Sequence, residues 1–343
     1  MAKPIVLHLG DPVEHNTALY ETLAQQFTII RPSVEERQRE AFKAALEEKR
    51  WGDFHAIMRP FWNSGGEMGN WDEELIALLP ATVQVSASAG AGYDWVDTQA
   101  FAKRGILYCN GAAASTEAVA DTALYHIISV FRNLNWSTVA ARSCDAEQWQ
   151  DAHKNTQRTA WNPQGHVLGI IGLGNIGYRI AQKAYRGLEM KIHYHDLYQK
   201  DAAQEAAIEA VYHASKEELV AIADCVVLAT PFSGEALVNA EFLARFKRGA
   251  RLVNIARGGL IDENALVDAL QSGQLLGAGL DVQATEPHVN PKLAAIKTVA
   301  LTSHTAGGAM DTLIGFERLA MENVQRVLMG GEPLTAVNKH LIK

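Results

Sequence analysis

Three charged side chains stand at the ends of apolar runs in the second half of this 343-residue chain. Arg257 follows the run LVNIA of 252–256 and precedes Gly258 and Gly259. Glu286 lies in DVQATEP of 281–287, and His304 in LTSHTAGG of 301–308. Each has a plain reading alone: an arginine serving a turn, a solvated glutamate before proline, a histidine capping a strand end. Together their chemistry is narrower. The planar fork of arginine suits a carboxylate and can polarise an adjacent carbonyl. Histidine delivers a proton near neutral pH. A neighbouring glutamate favours the charged ring and orients it. In an open α/β sheet, groups at the carboxyl ends of strands face a common crevice, so the three are expected to converge.

The segment VLGIIGLGNIG of 167–177 supplies a cofactor for such chemistry. It is an apolar strand running into Gly172-x-Gly174-x-x-Gly177 at the start of a helix, and Asp196 ends the next strand. That is the context a dinucleotide fingerprint requires. Gly172 permits the tight turn, Gly174 lets a pyrophosphate approach the backbone, and Gly177 lets helix pack on strand. The phosphates would meet N–H groups and the positive helix end near Asn175 and Ile176. Asp196 accepts hydrogen bonds from ribose hydroxyls and repels a 2′-phosphate, and the next residue is Leu197, not a cation. NAD(H) is therefore expected over NADP(H), with Lys200 near enough to soften the preference. Thr116, Thr230, Pro231, Ala256 and Asp281 complete the expected cofactor contacts. Beside a nicotinamide, Arg257, Glu286 and His304 read as a 2-keto acid reductase: hydride goes to the ketone carbon and His304 protonates the oxygen. The loop SASAGAGYDW of 86–95 offers small residues whose N–H groups can hold an anion. Ala91 and Gly92 are assigned to the substrate carboxylate, the alternative being a tight turn alone.

These groups need a scaffold of alternating strands and helices. Strands are expected at 5–9, 27–30, 54–58, 83–87 and 106–109, with helices at 16–26, 35–50 and 95–104 between them. A long helix follows at 116–142. The polar segment 143–165 carries Trp149 and Trp161; it either hides a helix or forms an arm, and exposed tryptophan in an arm is interface material. A second alternation has strands at 167–171, 191–195, 225–228, 252–255, 279–282 and 299–302, and a long amphipathic helix closes the chain at 310–328. Two α/β halves with parallel sheets covered on both faces follow from this order. A formal net charge of −8 argues against nucleic acid. No apolar run reaches the roughly 18 residues of a membrane span. The N-terminus reads as a strand, not a targeting signal, so a cytoplasmic enzyme is expected. Cys109 and Cys225 sit in apolar runs and are expected as buried free thiols. His193 and His195 share a strand face without further ligands, so no metal is expected.

With these residues in place, the chain resembles the D-isomer-specific 2-hydroxyacid dehydrogenase family over nearly its whole length. The matching pieces are AGAGYDWVD (89–97), VAD (119–121), VLGIIGLGNIG (167–177), VNIARGGLID (253–262), GLDVQATEP (279–287) and LTSHTAGG (301–308). The resemblance implies two doubly wound parallel-sheet domains, a Rossmann cofactor domain (114–308) inserted into a discontinuous flavodoxin-like substrate domain (1–113 and 309–343). It also implies Arg257 as binder of the substrate carboxylate and carbonyl, His304 as acid and base, Glu286 as its partner, and a homodimer. Within the family, LHLGDP (7–12), EKRWGDFHAI (48–57), NPQGHVLG (162–169) and GFERL (315–319) are similar to the fungal D-mandelate dehydrogenase branch, which accepts bulky 2-keto acids.

Two departures bear on function. The family commonly has proline after the strand that ends the first domain; Asn110-Gly111 here predicts a looser hinge. The segment Arg59-Pro-Phe61-Trp62 is bulky. Phe61 and Trp62 either stack on an aryl substrate, shrink the pocket toward glyoxylate, or pack in the core. Arg59 is either a second carboxylate ligand or, as favoured here, a surface ion-pair residue. Formate-type relatives place glutamine where Glu286 stands, and 343 residues leave no room for the regulatory domain of phosphoglycerate-type relatives. A corepressor-like, NAD-sensing interaction protein can retain all these residues, and turnover separates it from an enzyme.

Overall fold

A computed structural model describes residues 3–342. The chain divides into two compact units, one of residues up to Ser115 together with those from Gly308 onward, the other Thr116–Gly307.

The first unit is built on five parallel strands: β1 (Ile5–His8), β2 (Thr28–Ile30), β3 (Ala56–Arg59), β4 (Val85–Ser88) and β5 (Leu107–Cys109). Their order is β2-β1-β3-β4-β5. Both faces are covered, which is why the central strands read as continuous apolar runs. One face packs Leu7, Phe42, Ile57, Trp71 and Phe101; the other packs Val6, Phe27, Met58 and Val85. Ala320, Met321, Val324 and Val327 of the Met310–Leu328 helix complete the second face, so both ends of the chain share one core. The same helix carries Glu317, which is fully buried. Its carboxylate accepts the N–H groups of Glu14, His15 and Asn16 at 2.8, 3.0 and 2.8 Å and the Asn16 amide at 3.0 Å.

The second unit is a seven-stranded parallel sheet: β6 (Val167–Ile171), β7 (Lys191–His195), β8 (Val211–Tyr212), β9 (Cys225–Leu228), β10 (Ala250–Asn254), β11 (Leu275–Leu280) and β12 (Val299–Leu301). The order is β12-β11-β10-β9-β6-β7-β8. The chain winds one way from β6 to β8 and the other way from β9 to β12. The reversal between β6 and β9 opens a crevice at their carboxyl ends, where ligands of such sheets bind.

Local chemistry moves several expected boundaries. The helix placed at 116–142 starts at Ala112 and breaks into Ala112–Arg132 and Leu134–Arg142. Asn133 makes the break with φ 52°, and its amide donates to the Thr156 carbonyl and the Thr159 hydroxyl at 2.8 and 2.9 Å. The segment 143–165 holds a helix, Ala146–Asn155, whose first N–H groups bond to Asp145. Trp149 and Trp161 are exposed there. The helix placed at 35–50 spans only Arg39–Glu47, because Ser33 and Glu36 bond each other's backbone ahead of it. Within the first unit the Asn110 amide donates to the Ala91 carbonyl at 2.8 Å and Gly111 N–H to the Gly90 carbonyl at 2.7 Å. Cys109 and Cys225 are buried free thiols, and burial pushes both up to about 12. Cys144 is free and exposed. Among the described residues no helix is long and apolar enough to cross a membrane.

Candidate active site

An open groove of about 760 Å³ lies at the carboxyl ends of β6, β7 and β9. Gly172, Gly174, Asp196, Leu197, Lys200, Thr230 and Pro231 line it. Gly172 turns with φ 93°, a left-handed conformation that suits glycine. A Cβ on Gly177 would lie 2.1 Å from the Gly172 carbonyl oxygen, so only glycine lets the Asn175–Leu188 helix sit this close to β6. A Cβ on Gly174 would meet nothing within 4 Å, so the backbone there fronts open space. A helix start presented to an open groove fits a dinucleotide pyrophosphate. Gly177 is buried, and of the other expected contacts Asn175, Ile176, Thr116, Ala256 and Asp281 do not line the groove itself.

Asp196 is one of the charged residues that line the groove. Its carboxylate accepts Leu173 N–H at 2.9 Å and Leu197 N–H at 2.7 Å, and Lys200 lies 3.1 Å away. Burial alone would push the Asp196 carboxyl up; the Lys200 ammonium and the Leu173 N–H together hold it below its ordinary value. A carboxylate and a cation thus stand side by side at the groove. Tyr194 fixes this loop by accepting Lys200 N–H at 2.8 Å and donating to Glu205 at 2.7 Å. His193 and His195 both meet His213, which follows the edge strand β8. His193 meets the His213 ring at 2.9 Å, and His195 meets the His213 carbonyl at 2.9 Å.

The three charged groups stand at the carboxyl ends of neighbouring strands. Arg257 follows β10, Glu286 follows β11 and His304 follows β12. The Arg257 turn is shaped by buried Asn254, whose amide donates to the Arg257 carbonyl at 2.8 Å and accepts Ala256 N–H at 3.0 Å. A Cβ on Gly258 would lie 1.9 Å from the Gln283 carbonyl oxygen, so this turn rests directly on the loop after β11. In that loop Glu286 accepts Gln283 N–H through Oε1 at 3.0 Å. Its Oε2 lies 2.8 Å from His304 Nδ1. The carboxylate is therefore braced on one oxygen and orients the ring with the other. His304 has φ 54°, a left-handed conformation uncommon for a non-glycine residue.

Asp281 is expected as a cofactor contact, and in the structure it holds a loop. It is fully buried, and its carboxylate accepts Thr305 N–H at 3.0 Å, Ala306 N–H at 2.9 Å and the Thr302 hydroxyl at 2.6 Å. It anchors the loop that carries His304. Nothing local in the sequence marks this task. In the first unit, Phe61 is buried while Trp62 is 42% exposed, so the two aromatics part company. Arg59 is not a surface ion-pair residue. It is partly buried, its guanidinium donates to the Ser64 and Trp62 carbonyls at 2.8 and 2.6 Å, and it lies 5.1 Å from the Trp95 ring centre. Ala91 and Gly92 lie in the loop after β4, with the Ala91 carbonyl held by Asn110.

A parallel sheet with a glycine-rich turn at its switch point and an Arg–Glu–His set at its strand ends defines a nucleotide-dependent oxidoreductase of small acids. Comparison with known proteins agrees. The family model described as "D-isomer specific 2-hydroxyacid dehydrogenase, NAD binding domain" matches residues 124–306. The chain belongs to the D-isomer-specific 2-hydroxyacid dehydrogenase family and is an NAD-dependent enzyme of that family. It is similar to the holo structure of Rhodotorula graminis D-mandelate dehydrogenase, with 42% identity, a TM-score of 0.94 and 99% of both chains covered. Glyoxylate reductase 1 of Saccharomyces cerevisiae is 32% identical over 98% of this chain and 95% of its own. The 4-methyl-2-oxopentanoate reductase A of Aspergillus oryzae is 33% identical over 97% of this chain and 98% of its own.

Proposed function

We propose that this enzyme reduces 2-keto acids to D-2-hydroxy acids with NADH in preference to NADPH, acts also in reverse, and takes bulky or aromatic substrates such as phenylglyoxylate. The observation that carries the reading is the 2.8 Å His304–Glu286 pair, set on strand ends next to that of Arg257 in the unit that holds the groove. When bound, the nicotinamide supplies the hydride. Arg257 grips the substrate carboxylate and polarises the keto oxygen. Glu286 holds the proton on His304 Nδ1, so the opposite nitrogen, Nε2, passes its proton to the keto oxygen. The first unit serves as the substrate domain, with Ala91 and Gly92 N–H groups receiving the carboxylate and Trp62 offering an aromatic face. Thr116, Asn175, Ile176, Ala256 and Asp281 are kept as cofactor contacts. Exposed Val139, Trp149 and Trp161 support a homodimer built on this helical arm.

The bulky-substrate reading rests on the likeness to the mandelate enzyme and on the exposed Trp62. The yeast relative's name favours glyoxylate or hydroxypyruvate instead. Initial rates with phenylglyoxylate, glyoxylate and a branched 2-keto acid, each with NADH and NADPH, decide between them. Fast phenylglyoxylate turnover with NADH is expected. Turnover of glyoxylate alone would move the enzyme to the second reading. No turnover despite tight NADH binding would favour an interaction protein.

A further inference from the structure

His126 lies on the Ala112–Arg132 helix, far in sequence from the site, yet it is fully buried beneath the loop that carries His304. Its Nε2 lies 3.0 Å from the Thr302 hydroxyl. That hydroxyl has one proton, and the 2.6 Å contact to Asp281 Oδ1 requires it, because a carboxylate can only accept. The Thr302 oxygen must therefore accept from His126, which fixes the ring as the Nε2–H tautomer. The other nitrogen, Nδ1, is buried without a partner, as an unprotonated nitrogen can be more cheaply than an N–H. Protonation would create an orphan donor in an apolar setting. Burial accordingly lowers the His126 pKa to about 4, against a small opposing pull from Asp281.

The sheet is shaped to admit this ring. A Cβ on Gly279 of β11 would lie 2.8 Å from the His126 Cβ and 2.9 Å from Nδ1. The missing side chain lets the helix press its histidine through to Thr302. From there the bonds converge on one carboxylate: His126 Nε2–H donates to Thr302, Thr302 O–H donates to Asp281, and the Thr305 and Ala306 amides donate to the same Asp281 carboxylate. The Asp281 carbonyl also accepts His304 N–H at 2.7 Å. Gln283 ties the Thr302 carbonyl to the Glu286 loop at 3.0 Å.

We infer that His126 is a positioning residue for the acid–base step, acting through Thr302 and Asp281 to hold His304 in its left-handed backbone conformation and so aim its ring. A non-glycine residue in that conformation persists when its surroundings over-determine it, and this chain of bonds does so. The inference rests on the proposed role of His304, and its test separates the two.

His126→Phe keeps the ring volume and removes the donor. The expected result is a kcat for keto acid reduction ~10- to 100-fold lower, the scale of a small misplacement of a catalytic group, with KM and NADH affinity within about twofold. Amides of 301–308 should exchange with deuterium faster than in the wild type. His126→Gln, whose amide N–H can reach the same hydroxyl, should restore most of both. Should the Phe variant fail to fold, Thr302→Val, which cuts the same link with nearly the same shape, carries the same expectation. An unchanged kcat, unchanged exchange at 301–308, or a Gln variant no better than Phe would overturn the inference. A wild-type chain inactive on every keto acid would remove the proposed function, while amide exchange would still decide whether His126 holds the loop.

Discussion

At the scale of the residue, the site works by division of labour between two oxygens of one carboxylate. Glu286 is braced by Gln283 N–H through one and holds His304 through the other, so its charge acts on a ring already oriented. Glu286→Gln preserves the shape but replaces a charged acceptor by a neutral amide, which holds the ring less firmly. The kcat for keto acid reduction should fall ~10-fold or more, the scale of a weakened acid–base group; an unchanged kcat in steady-state assays would reject the pairing. Arg257→Lys replaces a planar fork by a point charge. It should lower kcat/KM by ~10²-fold or more, as for loss of a preorganised donor, in steady-state assays with any accepted keto acid. The strand-end place of Arg257 and the meeting of Glu286 with His304 were legible because each follows an apolar run. Asp281 and His126 were not. Their partners are named by no local pattern, since His126 meets Thr302 across 176 positions of sequence.

At the scale of the element, strand ends do the positioning and turns set the spacing. The Arg257 turn and the Glu286 loop touch through backbone alone at Gly258, where a Cβ would lie 1.9 Å from a carbonyl oxygen. Gly258→Ala must push the two loops apart. We expect kcat to fall ~10²-fold, since displacement of about an ångström costs that much, with the NADH site little affected. Steady-state rates with NADH titration by fluorescence quenching measure both. The alternation of strands and helices could be read from sequence because buried parallel strands are short apolar runs between amphipathic helices. Boundaries set by distant partners could not. Asn133 breaks a helix that periodicity would continue, and the bonds that reward the break come from Thr156 and Thr159. In the bulky segment 59–62, composition could not separate a buried Phe61 from an exposed Trp62, because one side of the segment faces a core and the other does not.

At the scale of the whole molecule, the first unit is assembled from both ends of the chain, and Glu317 is its fastener. Burial would push the Glu317 carboxyl up, but the N–H groups of Glu14, Asn16 and His15 and the Asn16 amide hold it below its ordinary value. A carboxylate so depressed contributes stability that is fully present above its unfolded value of about 4.3 and is lost as pH falls through the lower folded value. Glu317→Ala leaves buried backbone donors unpaired and should cost about 2–4 kcal/mol, read from denaturant unfolding at neutral pH. The deficit should shrink in acid, where the wild type loses the same charge. Because Thr116–Gly307 interrupts this unit, strands made before the insert are completed only by a helix made after it. The inserted unit can close while the ribosome still holds the final helix. Until that helix emerges, the earliest strands wait with one face of their sheet uncovered, and a chain cut short by a few dozen residues would keep a folded nucleotide-binding unit beside a partner that cannot fold.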